Sequence, residues 1–148
     1  MKSKGIRYLQ GDLDEDEGKY LITNDANGIG WRIVDFRILP SVVADLTTSP
    51  LAYSAARLST TGGLGIDDFQ WNNNTCLGVC VYMGGNIERI FDNEQIITTD
   101  LLITNMNKSA EISGGRIMYQ VTLEQFDITP DEQVMATIKE TAQSGSNS

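Results

Sequence analysis

The sequence predicts an all-β domain, an antiparallel β-sandwich or jelly-roll-like fold of about eight strands with one C-terminal α-helix. Two observations carry the β assignment. Short runs of alternating or β-branched residues recur along the chain, and clusters of Gly, Asn and Asp separate them. A third observation supplies the helix, because only one stretch near the C-terminus combines a capping pattern with helical spacing.

The runs fall at 6–10, 19–23, 31–39, 54–60, 77–83, 87–91, 100–105 and 117–128. Between the first two lies "GDLDEDEG", where Asp12, Asp14 and Asp16 stand at alternate positions like the first three ligands of an EF-hand loop. The likeness stops at Glu17, where that loop needs Gly, and at Thr23, where it needs a bidentate Glu. A solvated turn between two strands is the plainer reading, with Ca²⁺ held by Asp12, Asp14 and Asp16 as the alternative. No other cofactor is expected. Asn27-Gly28 has the chemistry of a tight hairpin turn between the second and third runs.

In "GWRIVDFRILP" the alternation slips: Trp31 and Ile33 share one face, while Val34, Phe36 and Ile38 follow the other phase. The same slip occurs in "RIMYQVTLEQFDI", where Ile117, Tyr119, Val121 and Leu123 are in phase and Phe126 and Ile128 are not. An extra residue at a β-bulge has this effect, and it bends the strand. Two long slipped strands are therefore expected side by side at a bend of the sandwich. Gly84-Gly85-Asn86 predicts a hairpin joining the two runs that flank it. Cys76 and Cys80 would share one face of a strand, ~13 Å apart. A disulfide needs Cα atoms within about 7 Å, so both are read as small buried hydrophobes.

The helix begins at Thr129-Pro130-Asp131-Glu132, which offers an N-cap hydroxyl, Pro at N1 and Glu at N3. It is expected over 130–142, with Val134, Met135, Ile138 and Ala142 forming a narrow apolar stripe that can dock on the sandwich or, as an assembly surface through Val134, Met135 and Ile138, on a neighbouring subunit. One domain over 1–143 and a flexible tail over 144–148 complete the organisation, and the 148-residue length fits a single core.

Composition narrows the function. The net charge is −9 and the eleven Lys and Arg residues are scattered, which disfavours a nucleic-acid partner. No apolar run approaches the roughly 20 residues of a membrane span, and no apolar segment follows the basic start as a secretory signal would require. Histidine is absent, which removes Ser-His-Asp and Cys-His catalysis, and no phosphate or dinucleotide motif is present. The chain is read as no enzyme. Trp71, beside Asn72 and near Asp68, is the candidate for a sugar-stacking platform, since an aromatic ring next to amide and carboxylate groups suits a carbohydrate.

The segments "YLITNDANGIGWRIVDFRILPS" at 20–41 and "GRIMYQVTLEQFDITPDEQVMATIKE" at 115–140 resemble small β-sandwich virion proteins of tailed bacteriophages, namely capsid decoration or minor head proteins. The resemblance covers about a third of the chain and carries over no catalytic residue. It implies a structural protein of the virion, assembled in the host cytoplasm, whose partners are other virion proteins and further copies of itself. A carbohydrate-binding, lectin-like module is the alternative that the same fold accommodates.

Overall fold

We describe the chain from a computed structural model covering residues 1–14, 17–23, 28–40, 53–60, 76–83, 86–106, 116–136 and 138. Among these residues eight strands form: β1 (Lys2–Leu13), β2 (Gly18–Ile22), β3 (Ile29–Pro40), β4 (Tyr53–Ser59), β5 (Cys76–Met83), β6 (Asn86–Phe91), β7 (Leu101–Asn105) and β8 (Ile117–Asp127). They make a three-stranded sheet, β1-β8-β3, and a five-stranded sheet, β2-β7-β4-β5-β6, with every pairing antiparallel. The expected β-sandwich is the fold.

Alternation explains the core. Ile33, Phe36 and Ile38 of β3 and Ile117, Tyr119, Val121 and Leu123 of β8 face inward onto Ala56, Leu58, Cys80, Leu101 and Ile103. Burying each large side chain contributes about 1.5–3 kcal/mol. Cys76 and Cys80 are both buried and unbridged, as their spacing predicts. Burial also pushes the Cys80 thiol above its ordinary pKa, so it packs as a hydrophobe.

The two long strands do lie side by side, paired from Ile29↔Asp127 to Pro40↔Ile117. The slip in β3 is a bulge: register shifts between Ile33 and Asp35, and Val34 is the extra residue, turned to solvent. The slip near Gln125 is not a bulge in β8, contrary to expectation: Phe126 stays on the outward face with Glu124. β8 runs without an inserted residue, and the bulge at that level belongs to β1, where register shifts between Ser3 and Gly5 opposite Phe126 and Gln125. Gly5 has φ 119°, a left-handed value that glycine adopts without the steric cost of a Cβ.

One local expectation is overturned by long-range pairing. Asn27-Gly28 does not close a hairpin, because β2 pairs with β7 in one sheet while β3 pairs with β8 in the other. Gly28 does take a positive φ of 84°, but its turn delivers the chain into β3. Its N–H donates to Gln133 Oε1 at 2.8 Å and its carbonyl accepts from Ile128 N–H at 2.9 Å. Between β1 and β2 the Glu17 N–H donates to the Asp14 carbonyl at 3.0 Å, a turn between two strands as expected, and those strands belong to different sheets. Asn105 ties the turn down, its Nδ2 donating to the carbonyl of Asp14 at 3.0 Å. β5 and β6 pair as a hairpin from Met83↔Asn86 onward, as the Gly-Gly-Asn signal predicts.

The C-terminal helix spans 130–136, with 138 also helical. Its capping box is formed: Glu132 N–H donates to Thr129 Oγ1 at 3.2 Å and Thr129 N–H to Glu132 Oε1 at 3.1 Å. That backbone donor, foremost, holds the Glu132 carboxyl below the usual carboxylate range. The remaining residues of the expected 130–142 helix, and the 144–148 tail, lie outside the described residues.

Candidate functional site

The outward face of the three-stranded sheet is built from alternate residues of β1, β8 and β3, which pairing places in rows. Gln10, Gln120 and Arg37 form one row, and Asp12, Met118 and Leu39 the next. These six line an open cleft of about 530 Å³, closed at one side by Ile87 of β6. Two carboxamides, a guanidinium and a carboxylate thus surround an apolar floor. Such a surface can hold a polar ligand that has one apolar face.

Neighbouring rows are stiffened by charge pairs. Asp35 accepts from Arg37 Nε at 2.7 Å and lies 2.8 Å from Arg89 Nε of β6, linking the edge of one sheet to the other. One row further, Glu124 accepts from Ser3 Oγ at 2.6 Å and from the Arg32 guanidinium, which lies 5.5 Å over the Phe126 ring. The Ser3 hydroxyl, foremost, and Arg32 hold the Glu124 carboxyl below the usual carboxylate range against an opposing effect of burial.

Of the acidic trio, Asp12 stands on β1 at the cleft, while Asp14 lies beyond the strand end and accepts from Arg116 Nε at 2.8 Å. Asp16 lies outside the described residues. Among the described residues no group of three or more His, Cys, Asp or Glu side chains is placed to hold a metal ion. Trp71, Asn72 and Asp68 also lie outside the described residues. The helix stripe is placed: Val134, Met135 and Ile138 are 56%, 73% and 58% exposed, and Met135 lines a shallow cleft with Glu94, Gln95 and Ile96.

Gln10, Arg37, Leu39, Met118 and Gln120 carry no motif, because they come from three strands far apart in the chain. Their signal was the solvent phase of each strand's alternation, which marks an outward face but not which strands share it. No helix among the described residues is long and apolar enough to cross a membrane. No family model, curated protein or solved structure matches the chain.

Proposed function

We propose that this chain is a non-enzymatic structural protein of a tailed-phage virion, a capsid decoration or minor head protein that works by protein–protein assembly. One observation carries the reading. Of the large apolar side chains exposed among the described residues, Met1, Ile6 and Tyr8 lie on or next to β1 and Val134, Met135 and Ile138 on the helix, while Tyr20, Val34, Leu39 and Ile90 are spread over β2, β3 and β6. The Met1 ammonium sits 3.5 Å from Glu132 Oε2, so the two groups flank one junction. Three exposed apolar side chains on the β1 end and three on the helix are what a partner-binding region presents.

The test uses particles of the phage whose genome encodes the chain. Mass spectrometry of purified virions is expected to find the chain in many copies. Recombinant chain should also co-sediment with shells that lack it. Absence of the chain from purified particles would overturn the reading.

A carbohydrate-binding role is the second reading, favoured by the cleft at Gln10, Gln120 and Arg37. Saccharide binding on a glycan array that is lost in Gln120→Ala would support it, and no binding across the array would retire it.

A further inference from the structure

We infer that β1 pairs with β1 of a second copy about a two-fold axis at Tyr8, joining two three-stranded sheets into one of six strands. The inference deepens the assembly reading, on which it rests, by naming the partner and the register.

β1 is an edge strand. β8 occupies one side of it, and among the described residues no strand pairs with the other. From Lys2 to Tyr8 every residue is exposed, so both faces of this end of the strand meet solvent as well as its edge. Ile6 is 46% and Tyr8 66% exposed. An edge of this length is a template for β-augmentation unless it is blunted. The bulge at Ser3–Gly5 blunts one end, and the regular pairing from Ile6 to Leu13 leaves the rest straight.

Sequence selects the register. In antiparallel self-pairing the two opposed residues must lie on the same face, so an axis passes through a residue of the strand. An axis at Arg7 sets two guanidinium groups directly against each other, which is destabilising. An axis at Leu9 sets Ile6 against the carboxylate of Asp12. The axis at Tyr8 sets Tyr8 on Tyr8, Ile6 on Gln10 and Arg7 on Leu9. It also brings the Lys2–Lys4 end of each strand to the Asp12–Asp14 end of the other, so opposite charges meet twice, beside the pairs that Lys4 makes with Asp127 and Asp14 with Arg116 in each copy. Ile6 and Tyr8 from both copies then form one continuous apolar stripe on the outward face, through opposed and diagonal contacts.

Site-directed cross-linking tests the pairing. Opposed residues have Cα atoms about 4.5–5.5 Å apart, within disulfide range. Tyr8→Cys is therefore expected to give a disulfide-linked dimer under mild oxidation. In Arg7→Cys the two copies are diagonal, about 7–8 Å apart, and no link is expected. The native cysteines are buried and do not compete. By sedimentation equilibrium the unmodified chain should be a dimer, and Tyr8→Lys should weaken it by about tenfold while the chain still unfolds cooperatively. A dimer that Tyr8→Cys fails to link, or one that Arg7→Cys links, would overturn this register. A monomer at every accessible concentration would overturn the pairing. If that monomer still bound virion shells the assembly reading would stand; a dimer linked at Tyr8 but absent from particles would sink that reading and leave this one.

Discussion

At the scale of single residues, Glu124 couples all three strands of the smaller sheet through its side chain. It stands on the central strand and is held from both sides, by Ser3 of β1 and Arg32 of β3. Because these partners lower its pKa in the folded chain, the stability they add is fully present above the unfolded carboxyl value of about 4.3. That stability is lost as pH falls through the lower, folded value. Removing the foremost partner should shrink the effect. In Ser3→Ala, the Glu124 carboxyl is expected to titrate closer to the ordinary range, followed by NMR of its side-chain carbon. The acid limb of the stability profile should flatten correspondingly. An unchanged Glu124 midpoint would show that Ser3 is not its main support.

At the scale of elements, the bulge in β3 makes a sharper prediction. Since Val34 is the inserted residue, its deletion leaves Ile33 opposite Leu123 and Asp35 opposite Thr122, with Phe36 and Ile38 still facing inward. The deletion removes local twist but no core contact, and should cost about 1–3 kcal/mol, leaving a cooperative transition. Deletion of Arg37, three positions on, turns Ile38 outward and should abolish cooperative unfolding. Denaturant titrations of the two deletions check this, and equal losses would refute it. The bulge was legible in the sequence because one inserted residue flips every side chain after it. The bulge in β1 was not, since Lys4 and Gly5 lie where both faces are exposed and no apolar phase records the slip. Nor was the partner of β2, because Asn27-Gly28 reports a local bend, while the choice of β7 over β3 is settled by contacts some 80 residues away.

At the scale of the whole molecule, strand count and the single helix followed from local patterns, but the cleft required knowing that β1, β8 and β3 are neighbours. The helix stripe was legible as residues and not as a direction, because a narrow stripe suits a sandwich or a partner equally. Its exposure predicts what truncation does. Deleting 130–148 removes the Gln133 bond to Gly28, worth about 0.5–1.5 kcal/mol, and the Met1–Glu132 ion pair, worth about 0–1 kcal/mol. Among the described residues it removes little buried apolar surface, since the stripe is exposed. The truncated chain is therefore expected to lose no more than about 1–2 kcal/mol by denaturant titration. It should keep the dimer made through β1, as judged by sedimentation, and lose its affinity for virion shells. A collapse of stability would instead make the helix part of the core. Unimpaired shell binding would remove the stripe from the assembly surface and leave β1 to carry it alone.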